Sequence, residues 1–72
     1  MEDFKARLLA EHGELRERSG NLKKFLSNTD NSTKMHMDDW NILHVQNDIM
    51  ISYLSVLEMR MIKLGILPIE EN

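Results

Sequence analysis

The second half of this 72-residue chain holds more apolar surface than the first half can cover, and that imbalance limits what it can fold into. Between Trp40 and Leu64, fifteen of twenty-five residues are hydrophobic. Their spacing is helical. Leu43, Met50, Leu57 and Leu64 form one heptad-spaced stripe, reinforced by Leu54 and Met61. Ile42, Ile49 and Val56 form a second stripe, about 100° away on a helix of about 3.6 residues per turn. Between the stripes runs a row of polar-capable side chains, Gln46, Tyr53 and Arg60.

A first helix is expected from about Asp3 to Leu26. Phe4, Leu8, His12, Leu15, Ser19, Leu22 and Leu26 recur at spacings of three and four, which places them on one face. Asp3 lies where negative charge suits a helix N-terminus, and Lys23 and Lys24 lie near the C-terminus. This helix offers only seven large apolar side chains: Phe4, Leu8, Leu9, Leu15, Leu22, Phe25 and Leu26. Gly13 and Gly20 are either tolerated at a cost of about 1 kcal/mol each, or mark a close backbone approach. The polar run Ser27–Lys34 contains no apolar residue and reads as a loop. The second helix is capped by His36 or Thr33, with Asp39 in its first turn. Gly65, followed by Ile66 and then Pro68, predicts a left-handed cap with a hydrophobic contact.

The expected fold is all-α, an antiparallel helical hairpin assembling into a homo-oligomeric helical bundle. A single domain spans 1–72, with a helix over about 3–26, a loop over about 27–36, a helix over about 37–64 and a short C-terminal tail. Two helices alone would leave much of the second helix's apolar arc wet, and large exposed patches mark interaction surfaces. Leu43, Gln46, Ile49, Met50, Tyr53, Val56 and Leu57 are therefore the candidate oligomer interface.

Composition excludes several kinds of chemistry. With no cysteine, disulfides, thiolate metal sites and cysteine nucleophiles are ruled out, which suits a reducing cytoplasm. The acidic start MEDFKARLLAEHGE lacks the apolar run of a signal peptide, and no apolar stretch is long enough to cross a bilayer. A net charge of −3 argues against DNA as a partner. Ser52, Tyr53 and Ser55 have no evident base and orienting group, so an enzyme is not expected. His12, His36 and His44 lack the spacing of a helical metal pair, so neither a metal nor a cofactor is expected. His44 and Asp48, four apart, read as a surface hydrogen bond.

Three features admit two readings each. The Gln46–Tyr53–Arg60 row either fixes register and subunit number, as polar seam residues do in coiled coils, or presents Arg60 to an anion such as phosphate. Arg16, Arg18, Lys23 and Lys24, opposed only by Glu17 between Leu15 and Leu26, form either a solvated face or a phosphate contact where subunits meet. Phe4 is either a core residue or a platform for base stacking.

The order of residues resembles a family of very small bacteriophage proteins related to a crAss-like phage hairpin protein. RLLAEHGELRERSGNLKKFL, a polar loop and LHVQNDIMISYLSVLEMRM carry the resemblance, which covers about Arg7 to Ile62. Leu22 and Phe25 match the end of that family's first helix, and Gln46, Met50, Tyr53, Leu57 and Arg60 match its second. The hairpin is also similar to anti-CBASS and anti-Thoeris sponges, phage proteins that sequester cyclic nucleotide signals without degrading them and are often hexamers. The resemblance implies cyclic di- or trinucleotides as partners and the host bacterial cytoplasm as location. It implies one pocket whose phosphate-holding base on the first helix is Arg16, or Arg18, with Phe4 the one aromatic before Phe25, and a second, separate pocket whose arginine would be Arg60 on the second helix. The N-terminal tyrosine that usually stacks on a base in those proteins has no counterpart here. The competing expectations are a protein-binding antagonist of a host defence enzyme, of anti-CRISPR type, and a structural oligomeric helical module.

Overall fold

The computed structural model describes residues 3–66. They form a helix α1, Asp3–Ser27, a short 3₁₀ helix, Thr29–Lys34, and a second long helix α2, Met37–Leu64. The two long helices pack antiparallel. The expected C-terminal tail, apart from Gly65 and Ile66, lies outside the described residues.

The turn departs from the simple loop expected over about 27–36. Its polar side chains bond to nearby backbone groups and wind it into 3₁₀ geometry. The Asn28 side chain accepts from the Asp30 N–H, Ser32 Oγ donates to the Thr29 carbonyl and Thr33 Oγ1 donates to the Asp30 carbonyl. Asn31 Nδ2 reaches back 2.8 Å to the Phe25 carbonyl, tying the turn to the end of α1. Phe25 and Trp40 close the same end with ring centroids 6.1 Å apart.

α2 begins at His36, whose backbone is extended and whose side chain makes no capping bond. It ends as the Gly65–Ile66 pattern predicts. Gly65 adopts φ 74°, its N–H donates to the Ile62 carbonyl, and the Ile66 N–H donates to the Met61 carbonyl. Ile66 packs back onto the core, which supplies the hydrophobic contact of a Schellman cap.

The side chains shielded between the helices follow a three–four alternation on both sides. On α1 they are Leu8, His12, Leu15, Ser19, Leu22 and Leu26; on α2 they are Trp40, Leu43, Asn47, Met50, Leu54, Leu57 and Met61. That alternation is the seam of a two-stranded coiled coil. The tightest packing is at the open end of the hairpin, where Leu8, Leu57 and Met61 form a cluster joined by Leu15 and Ile66. Leu57 and Met61 lose all exposure, which stabilises the hairpin by about 1.5–3 kcal/mol each. Next to this cluster His12 Nε2 lies 2.9 Å from Glu58 Oε2, so a buried ring nitrogen has a partner. Asn47 Oδ1 is buried in the seam with no hydrogen-bond partner among the described residues.

The opposite side of α2 is left uncovered by the other described residues. Ile42, Val45, Ile49, Val56 and Met59 are 41–62% exposed, and with Ser52 they repeat the three–four alternation roughly 140° around the helix from the seam. Leu43, Met50 and Leu57 therefore belong to the contact with α1, whereas Ile49 and Val56 face outward. Gly13 and Gly20 have open space where a Cβ would stand, so no backbone approaches them within the hairpin.

Candidate ligand-binding cleft

Antiparallel packing brings the first turns of α1 beside the last turns of α2. On α1 Arg7 and Leu8 lie three and four residues after Phe4, and Glu11 four and three after them; on α2 Lys63 and Leu64 lie three and four residues after Arg60. Where these two faces meet they line an open cleft of about 490 Å³. That volume lies within the range of about 300–1,000 Å³ common for small-molecule sites. Its floor is apolar, from Leu8 and Leu64. Phe4 is 46% exposed at the edge, so an aromatic face is available for stacking.

The charge of the cleft is cationic. Arg7, Arg60 and Lys63 stand against a single carboxylate, Glu11. The one contact of salt-bridge geometry among the described residues joins His12 to Glu58, so none of the three cleft cations is paired with a carboxylate there. Guanidinium groups in this state suit phosphate, which they grip through parallel N–H donors. The Glu11 carboxylate instead accepts a hydrogen bond from the Tyr53 hydroxyl, which reaches across from α2. That bond, then desolvation and the charge of Glu11, raise the Tyr53 pKa above 10.0, while nearby Arg60 pulls it down. The polar row of α2 thus leads into the cleft: Tyr53 holds Glu11 and Arg60 lines the wall.

Of the residues expected to bind a ligand, Phe4 and Arg60 come together in this cleft. Arg16 does not join them. It lies on the outer face of α1 in a second, shallow groove with Gly13, Glu17, Gly20, Asn21 and Lys24. Arg18 lines neither. Arg7, Lys63 and Glu11 escaped the sequence reading, although Arg7 is three residues after Phe4 and four before Glu11 on one helix face. What joins them to Arg60 is the register between the helices, which no local pattern reveals.

The remaining polar groups serve local structure. Ser55 Oγ donates to the Ile51 carbonyl within its own helix. His44 packs edge-on against Trp40, with ring centroids 5.3 Å apart, and makes no hydrogen bond to Asp48 among the described residues. In place of the expected His44–Asp48 bond, the imidazole is held in a T-shaped contact with the indole four residues back on α2. No group of three potential metal ligands occurs among the described residues, and no described helix is long and apolar enough to cross a membrane.

The family model described as Sequestin aligns with residues 2–63. No curated protein matches, and no solved structure matches.

Proposed function

The chain belongs to the Sequestin family, and from that premise we propose that it is a phage anti-defence protein that holds host cyclic di- or trinucleotide immune signals without degrading them. The family name speaks of sequestration. The observation that carries the reading to a nucleotide is the cleft, in which an exposed aromatic ring and three cations, none paired with a carboxylate among the described residues, share one small concave site. Phe4 offers a face to a base; Arg7, Arg60 and Lys63 offer donors to phosphates. Sequestration asks nothing more of the protein. It competes with a host receptor by mass action, so it needs affinity and abundance but no nucleophile or base.

In this reading the protein acts in the host bacterial cytoplasm as a homo-oligomer, with the outward stripe of α2 covered by further copies. Ile49 and Val56 contribute to that contact directly, and a hexamer is the assembly suggested by the sponge resemblance. Arg16 and Arg18 would add phosphate contacts where the outer faces of α1 meet another subunit. The stripe also favours a second reading, an antagonist that docks α2 on a host defence enzyme. A monomer in solution that captures such an enzyme would support that reading over the first.

Calorimetric titration with a panel of cyclic di- and trinucleotides tests the proposal. Binding by at least one member is expected, and Arg60→Ala should weaken it about tenfold or more, since a hydrogen bond to a charged group contributes about 1.5–3 kcal/mol. Absence of binding by every member of the panel would refute it.

A further inference from the structure

An acidic side chain in a cleft read as anion-binding needs a reason. Glu11 lines the same cleft as Arg7, Arg60 and Lys63. It lies four residues after Arg7, where an ion pair on one helix face is the ordinary outcome. No such pair forms among the described residues. Glu11 is held instead by a neutral donor, the Tyr53 hydroxyl on the facing helix. A carboxylate has about four acceptor positions, and this bond occupies one of them. The rest stay available at the cleft, beside the aromatic ring that would stack a base.

We propose that Glu11, positioned by Tyr53, reads the Watson–Crick edge of a guanine base and makes the cleft selective for guanine-containing over adenine-containing nucleotides. This rests on the reading of the cleft as a nucleotide site. Guanine presents two adjacent donors on that edge, N1–H and the N2 amino group, and a carboxylate presents two adjacent acceptors. Adenine presents one donor, the N6 amino group, beside an acceptor, N1. Its N1 lone pair would face a carboxylate oxygen, setting two acceptors against each other at a cost to affinity. The other three charged residues, all cations, remain for the phosphates, so base and phosphate recognition fall to different side chains. Glutamine in place of Glu11 offers one acceptor and one donor. That pair matches the N1 acceptor and N6 donor of adenine, as it matches N7 and N6 when Asn or Gln reads adenine in the major groove.

The test is calorimetry of the full chain with cyclic di-GMP and cyclic di-AMP, for the wild type, Glu11→Gln and Tyr53→Phe. Circular dichroism checks that the helices persist at these exposed positions. The wild type is expected to bind cyclic di-GMP about tenfold or more tightly than cyclic di-AMP. Glu11→Gln should bring the two affinities within about threefold or invert them, and Tyr53→Phe should lower the ratio while binding persists. Equal wild-type affinities, or a ratio unchanged by Glu11→Gln, overturn the assignment of Glu11 and leave the cleft as a nucleotide site. Binding of neither probe overturns this inference together with the reading on which it rests.

Discussion

Truncating Ile49 to alanine and Leu57 to alanine should have opposite signatures, because the two residues face opposite sides of α2. Leu57 is fully buried against α1. Removing its isopropyl group costs about 2–5 kcal/mol, as large-to-small changes in packed cores do. A chain of this size holds on the order of 3–5 kcal/mol from a single core, so Leu57→Ala should unfold much of the population of free chains. Ile49 is 62% exposed in the single chain. Fully burying an isoleucine is worth about 1.5–3 kcal/mol, so covering the exposed part contributes about 1–2 kcal/mol per subunit. In a two-fold contact each substitution counts twice, which gives about 2–4 kcal/mol per dimer. Sedimentation across a concentration series should then show wild-type oligomers whose dissociation midpoint rises about 30- to 1,000-fold in Ile49→Ala. Helicity of Ile49→Ala should hold at low temperature while its melting loses the concentration dependence that assembly gives the wild type. A wild type that sediments as a monomer throughout, or an Ile49→Ala midpoint equal to that of the wild type, would refute the assignment of the outer stripe to subunit contact.

Two further outcomes follow from the seam and the cleft. Glu58→Ala removes the partner of a buried histidine nitrogen and should destabilise the hairpin by about 1–3 kcal/mol in chemical denaturation, with Glu58→Gln recovering most of the loss. Tyr53 is the one tyrosine of the chain, so ultraviolet absorbance reads its titration alone. Because its folded pKa is raised above 10.0, chiefly by the bond to Glu11, the stabilisation is full below pH 10.0 and is lost as the pH rises through the folded value. The Tyr53 midpoint should therefore lie above 10.0 in the native protein and fall toward it in Glu11→Gln; a native midpoint at or below 10.0 would contradict the Tyr53–Glu11 bond.

Much of the hairpin was legible in the residues because each local signal had one physical meaning. The α1 face from Leu8 to Leu26 and the Gly65–Ile66 stop follow from periodicity and backbone chirality, and both are found in the structure. The turn was harder. Its polar side chains mark it as non-core, but only their mutual bonds decide between an irregular loop and the 3₁₀ helix of Thr29–Lys34. The assignment of stripes on α2 was harder still. Both stripes are apolar and heptad-spaced, so the sequence alone does not say which of them α1 covers. The register settles it by placing Leu43, Met50 and Leu57 inward. The cleft shows the same limit: Phe4 and Arg60 were noticed singly, and only the antiparallel alignment adds Arg7, Glu11 and Lys63 to them.

The central claim, capture without chemistry, is tested most directly by recovering the ligand. A cyclic nucleotide that binds in calorimetry is incubated with excess protein, the solution is passed through a membrane that retains the protein, and the retained fraction is heat-denatured and read by mass spectrometry. The account predicts a filtrate depleted of the nucleotide and release of the intact cyclic molecule in full yield after denaturation. Nucleotide left in the filtrate, or release of a linear or hydrolysed product, would contradict it.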